Sequence, residues 1–342
     1  GLDNVTAKVI ENCPQLKVIS RWGVGYDKVD TAAASKAGIT VTYTPGVMAV
    51  SVAELALGLM LDCARRITVQ DGQVRGGAWA PINGMELFGK TVGIIGYGAI
   101  GKQLGRLTNG IGMTTYAYDP FMNEAYAKEH NVLTADIDFI VRNCDIVSVH
   151  VPYMESTKNI ISRERIFSMK DGAILINAAR GGLVDEAAAA EALQSGKLAA
   201  AAFDAFEQEP LKDSPLLTAP NAILLPHTGS HTVDATKRMG MLAVDNVIRE
   251  LSGTDCGYSK VTGRDRGDYE TESRHWSHWP CRDGRESRHE HGVEGLHRGG
   301  LQPHDRKSGQ VRKWPCRGQE HHRLPHARRA GCEPRKTAQG LH

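Results

Sequence analysis

The fold turns on residues 92–101, Val92-Gly93-Ile94-Ile95-Gly96-Tyr97-Gly98-Ala99-Ile100-Gly101, followed eighteen residues after Gly101 by Asp119. The apolar run 92–95 reads as a buried strand, and Ile100, Leu104, Leu107 and Ile111 share one face of the helix that follows. Between them, Gly96 permits a tight turn, Gly98 lets the backbone approach a pyrophosphate, and Gly101 lets helix and strand pack closely. The helix N-terminus offers unpaired N–H groups to phosphates. Asp119 closes the next strand, where it would accept both ribose hydroxyls and repel a 2′-phosphate, so NAD is expected rather than NADP. A lone G-x-G-x-x-G could be a flexible turn. Here the strand before it, the helix after it and the acid beyond make it a dinucleotide site.

Working outward, apolar runs at 114–118, 146–151, 173–177, 198–203 and 222–225 alternate with helical stretches, the rhythm of βαβ units. With 92–95 they predict a doubly wound parallel α/β sheet of six strands. Ser162 caps a helix ended by Gly172, and Asp185 caps an Ala-rich helix ended by Gly196. A last amphipathic helix, with Met239, Leu242, Ala243, Val247 and Leu251 on one side, runs to Gly253. Upstream, 16–20 reads as a short strand ended by the turn residues Gly23, Gly25 and Asp27. Ser51 and Glu54 form an S-x-x-E capping box that predicts a buried helix from about residue 52, and 71–87 reads as a connecting arm.

Charge is uneven along the 342 residues: 1–253 hold 23 basic and 27 acidic side chains, 254–342 hold 18 and 12. A mildly acidic body lacks the field that draws in a phosphate backbone, so no nucleic-acid partner is expected. The longest apolar stretch, 55–61, lies between Glu54 and Asp62 and is far too short for a membrane span. Seven irregularly spaced cysteines imply no disulfide framework, and no signal-like segment opens the chain, which favours a cytoplasmic enzyme. After 253 the composition breaks: residues 254–342 contain no Ile, Met, Phe or Asn and ten of the fourteen histidines. Such a segment cannot bury enough apolar area to order itself, so 262–342 is expected to be a disordered tail. Translation out of frame would leave a similar composition. Its cysteines and histidines lack zinc-finger spacing, and no metal is expected.

Three further constellations end strands, where ligands bind in a doubly wound sheet. Asn177-Ala178-Ala179-Arg180 places a guanidinium that can grip a carboxylate with two parallel hydrogen bonds and polarise an adjacent carbonyl. Phe203-Asp204-Ala205-Phe206-Glu207-Gln208-Glu209-Pro210 and Pro226-His227-Thr228-Gly229-Ser230 supply a carboxylate and a histidine. Brought together, these could form a proton-transfer pair in which the carboxylate orients the imidazole. Either residue alone would be unremarkable.

Taken with SRWGVGYDKVD at 20–30, TPG at 44–46, His150-Val151-Pro152 and INAARGGLVDE at 176–186, these motifs cover 1 to about 261. In this the chain resembles the D-isomer-specific 2-hydroxyacid dehydrogenases, and among them most the phosphoglycerate dehydrogenase branch. The resemblance implies Arg180, Glu209 and His227 as the catalytic set and the N–H groups of Val24 and Gly25, with Arg180, as the substrate-carboxylate site. It implies a cofactor site of Gly96, Gly98, Ala99, Ile100, Gly101, Asp119, Val151, Pro152, Ala178, Ala179, Arg180, Asp204, His227 and Gly229, with Asp204 near the nicotinamide carboxamide. Residues 46–230 would form a Rossmann NAD domain inserted into a smaller flavodoxin-like substrate domain made from 1–45 and 231–261. By that resemblance the second domain would be incomplete, since family members carry further strands before the point where this sequence starts. The expected partners are a small 2-hydroxy or 2-oxo acid, of 3-phosphoglycerate or of hydroxypyruvate and glyoxylate type, and a second copy meeting through 51–87. A nonenzymatic NAD-binding regulator of the corepressor type, and an inactive fragment, are the alternatives. Retention of Arg180, Glu209 and His227 together favours the enzyme.

Overall fold

The computed structural model describes residues 3–257 together with 260 and 261; the expectations for 262–342 lie outside the described residues. Near the N-terminus, helix α1 (Ala7–Glu11), strand β1 (Val18–Ser20), helix α2 (Thr31–Lys36) and strand β2 (Thr40–Thr42) form a two-stranded parallel sheet with Val18 opposite Thr40. Ile10, Val29, Ala34, Ile39, Val41, Tyr43 and Val261 make its core. Thr42 bridges antiparallel to Lys260, so the end of the described chain returns to this sheet.

The larger sheet holds β3 (Thr91–Ile95), β4 (Thr114–Tyr118), β5 (Val132–Thr134), β6 (Ile146–Val149), β7 (Ala173–Asn177), β8 (Leu198–Phe203) and β9 (Ala222–Leu224). All pairings are parallel, in the order β5-β4-β3-β6-β7-β8-β9. The chain winds outward from β3 to β5, returns to pair β6 with β3, and then winds the other way. Alternate strand residues face opposite cores: Ile95, Val147, Val149, Leu175 and Phe203 on one side, Val92, Ile94, Ile146, Ile174 and Ile176 on the other. Helices cover both faces. α3 (Ala49–Arg65) and α5 (Ala99–Gly110) pack on the second, and α7 (Ile137–Asn143), α8 (Arg163–Ser168) and α9 (Glu186–Gln194) on the first. Each fully buried Ile or Leu there contributes roughly 1.5–3 kcal/mol.

The caps at Ser162 and Asp185 form as read: each side chain accepts from the N–H three residues on, Arg165 and Ala188. Gly196 sits at φ 76°, where glycine ends α9 without strain.

Elsewhere the structure corrects the sequence. There is a seventh strand, β5, at the sheet edge; only Val132 of its three residues is buried, so it leaves no apolar run. Strand β6 stops at Val149 and α8 at Ser168, short of the expected 151 and Gly172. The arm is preceded and entered by a helix, α4 (Ile67–Arg75), none of whose residues is fully buried, so that it shows no apolar buried face to read. α3 starts at Ala49 rather than about 52, with Met48 at its N-cap and no side-chain cap; Ser51 lies inside the first turn, where its hydroxyl donates to the Gly229 carbonyl. In α10 (Val233–Leu251), which follows α6 (Glu124–Glu129) and the others in chain order, Ala235, Met239 and Asn246 are buried while Leu251 is exposed. Asn246 replaces an apolar residue on the covered side because its side-chain amide donates to the Tyr43 carbonyl. No described helix is long and apolar enough to cross a membrane.

Candidate active site

Because every strand of the large sheet is parallel, the residues that follow β4, β3, β6, β7, β8 and β9 gather at one edge: Asp119, Gly96, His150, Arg180, Asp204 to Glu209, and His227. At the glycine loop, Gly96 has φ 103°, and a Cβ there would lie 2.6 Å from the His150 carbonyl carbon. A Cβ on Gly101 would overlap the Gly96 carbonyl oxygen. Gly98, the N-cap of α5, differs: a Cβ there would meet no atom within 4 Å. Its open side adjoins the first N–H groups of a twelve-residue helix, which is the environment a pyrophosphate requires. The Asp119 carboxylate braces the loop, accepting from Tyr97 N–H and Phe121 N–H at 2.9 Å each. These residues fit a dinucleotide. Ile100 and Ala178 pack with Met48, Val52, Ala235 and Met239 nearby. Val151 is buried and Pro152 exposed, its carbonyl accepting from Thr157 Oγ1 at 2.7 Å.

Arg180 is aimed by a local turn. Asn177 Nδ2 donates to the Arg180 carbonyl at 2.9 Å, and Ala179 N–H donates back to Asn177 Oδ1 at 3.2 Å. The guanidinium lies 3.9 Å from Asp27 and so close over Gly25 that a Cβ there would overlap Nη2. The loop of Val24 and Gly25 is pinned to β2's end, since Gly23 N–H donates to Thr44 Oγ1 at 2.9 Å and Thr44 N–H to the Gly23 carbonyl at 3.0 Å. Arg21, which the sequence reading did not single out, donates from Nε to the Gly25 carbonyl at 2.7 Å; burial holds it below the usual guanidinium value. Its position as the first residue of the RWGVGYD turn was the available signal.

The histidine and the carboxylate meet: His227 Nδ1 lies 2.8 Å from Glu209 Oε1, which also accepts from Phe206 N–H at 3.2 Å. His227 has φ 57°, a left-handed conformation that costs a non-glycine residue about 1–2 kcal/mol. Buried Asp204 accepts from Thr228 N–H and Gly229 N–H, both at 2.7 Å, and from Thr228 Oγ1 at 3.2 Å. Both Asp204 oxygens are thus engaged within the protein. His150 shares a 2.8 Å hydrogen bond between Nε2 and Ser148 Oγ, while its buried Nδ1 has no partner; burial lowers its pKa to about 4.

Residues 57–229 match the family described as D-isomer specific 2-hydroxyacid dehydrogenase, NAD binding domain. The chain belongs to this family. Among curated 2-hydroxyacid dehydrogenases, it is 44% identical over 252 residues to D-3-phosphoglycerate dehydrogenase of Methanocaldococcus jannaschii, covering 73% of this chain and 48% of that one. The chain thus spans about half the length of that relative. It is also 44% identical to hydroxypyruvate reductase of Thermotoga maritima, covering 72% of this chain and 81% of the relative. Among solved structures of the family, D-lactate dehydrogenase of Aquifex aeolicus, complexed with NAD and lactic acid, is 30% identical with a TM-score of 0.71. That match covers 77% of this chain and 85% of the other.

Proposed function

We propose that the chain is an NAD-linked D-2-hydroxyacid dehydrogenase that interconverts a small 2-hydroxy acid and its 2-oxo acid, of the 3-phosphoglycerate or the hydroxypyruvate and glyoxylate type. The observation that carries this reading is the 2.8 Å His227–Glu209 pair at the same sheet edge as Arg180 and the glycine loop. NAD, when bound, exchanges a hydride with the substrate's second carbon. Residues 46–230 serve the cofactor, with Asp119 selecting NAD over NADP. Residues 1–45 and 231–261 serve the substrate.

In the reductive direction Arg180 grips the carboxylate with its fork of donors and polarises the adjacent carbonyl oxygen, and Val24 and Gly25 hold the carboxylate from the other side by their N–H groups. His227 gives a proton from Nε2 to the oxygen as negative charge develops there. Glu209 holds Nδ1, fixing the orientation of the ring so that Nε2 faces the reacting oxygen. In the oxidative direction the same nitrogen removes the hydroxyl proton. The two-copy assembly we infer uses 51–87, which exposes Ile67, Val74 and Trp79.

The test is NADH oxidation by the full chain with hydroxypyruvate, phosphohydroxypyruvate and glyoxylate. At least one should be turned over, and His227→Ala should reduce kcat roughly a hundredfold or more. Saturable NADH binding without turnover of any 2-oxo acid would refute the dehydrogenase reading and favour a nonenzymatic NAD-binding protein.

A further inference from the structure

Gly229, two residues after His227, is held on both of its backbone polar groups by buried side chains from different elements. Its N–H donates to Asp204 Oδ2 at 2.7 Å, from the end of β8, and its carbonyl accepts from Ser51 Oγ at 2.7 Å, from the first turn of α3. Ser51 and Asp204 are 4% and 2% exposed. The packing here is close: a Cβ at 229 would lie 3.1 Å from Asp204 Oδ2, which would have to give by a few tenths of an ångström, and 3.4 Å from Val52 Cγ2. The residue before Gly229 is held as well, with Thr228 N–H and Oγ1 both reaching Asp204 Oδ1. His227 adopts a left-handed conformation that is uncommon for a residue with a side chain and costs it energy. Its N–H donates only to the Leu225 carbonyl, two residues back in the chain, a local contact that does not fix where the turn sits.

We propose that Ser51 is a positioning residue for the acid–base histidine: with Asp204 it clamps Gly229, and the clamp keeps the 226–230 turn in the conformation that aims His227 Nδ1 at Glu209. This rests on the dehydrogenase reading only for its effect on rate; the clamp itself is a property of the chain. Ser51 is the third residue of α3, past the N-cap Met48, so its hydroxyl does not cap the helix. Ser51 instead spends its proton on a carbonyl far away in sequence, so the start of α3 is tied directly to the acid–base turn.

The experiment uses the full chain and follows the proton on His227 Nδ1 by NMR, where a hydrogen bond to a carboxylate gives a slowly exchanging downfield signal assigned by its loss in His227→Ala. Ser51→Ala should broaden or abolish that signal and lower kcat about tenfold, the loss of one well-placed hydrogen bond. Ser51→Thr, which keeps the hydroxyl, should restore both. If Ser51→Ala does not fold, Asp204→Asn, whose amide nitrogen cannot accept from Gly229 N–H, should abolish the signal in the same way. A Ser51→Ala protein that melts at lower temperature but keeps the Nδ1 signal and the kcat of wild type overturns the proposal, leaving Ser51 a purely structural residue. Loss of the signal in Ser51→Ala, when the wild-type chain itself turns over no 2-oxo acid, upholds the clamp and refutes the dehydrogenase reading. An unchanged signal in an active Ser51→Ala enzyme refutes the clamp alone.

Discussion

At the scale of single residues, His150 makes a stability argument that is separate from catalysis. Its folded pKa, lowered to about 4 by burial, lies below the ordinary histidine value of about 6.5. As pH falls through 6.5 the unfolded chain takes a proton that the folded chain refuses until about 4, so this contribution is fully present above 6.5 and lost on the way down. Its size is at most about 3 kcal/mol. Urea unfolding at a series of pH values should show stability falling between 6.5 and 4, and His150→Gln should flatten that slope; an equal slope in both proteins would show that His150 does not carry it. The residues with charged, chemically distinctive side chains were legible in the sequence: Arg180, Glu209 and His227 each stood at the end of an apolar run. Ser51 was legible only as a cap, because a serine followed by a glutamate three residues on matches a capping box. The carbonyl it serves lies at Gly229, a relation that sequence spacing does not express.

At the scale of elements, strands with buried runs were readable and those without were not. β5 escaped because a sheet-edge strand with one buried residue carries no pattern, and α4 because none of its residues is buried. The glycine loop was readable in full, yet its three glycines do different work, and substitution separates them. Gly101→Ala forces a methyl onto the Gly96 carbonyl and should destabilise the protein by the roughly 1–3 kcal/mol of an overpacked contact. Gly98→Ala meets no neighbour and requires no positive φ, so its melting temperature should stay close to wild type while NADH affinity falls, the methyl occupying the side kept open for phosphate. Thermal melts paired with NADH titration distinguish the two. Undiminished NADH affinity in Gly98→Ala would mean that the cofactor phosphates lie elsewhere.

At the scale of the whole molecule, the sequence placed the cofactor sheet correctly because parallel strands are buried on both faces and must be apolar. It placed the smaller sheet less completely, since β1 and β2 are three residues each and β1 has no deeply buried position. Apolar exposure along the arm argues for a second copy: Trp79 is 88% exposed, and Ile67 and Val74 are also open. Sedimentation at micromolar concentration should give a dimer, and Val74→Asp with Trp79→Ser should shift it toward monomer without loss of NADH binding. A wild-type monomer under those conditions would leave the arm without its inferred partner.

The outward-and-back winding of the large sheet also sets an order of events in time. β3 is the first of its strands to leave the ribosome and stands in the interior of the sheet, but its second neighbour, β6, begins more than fifty residues later, with Val92 opposite Ile146. Pairing over such a span closes a long loop before it is rewarded, which slows folding. The Gly96 turn rests against the backbone of His150 and Val151, just beyond β6. The seat proposed for the phosphates is therefore finished only after that late pairing, and a ligand cannot accelerate a step that precedes its own binding site. NADH present during refolding should slow unfolding of the finished protein while leaving the rate of the β3–β6 closure unchanged.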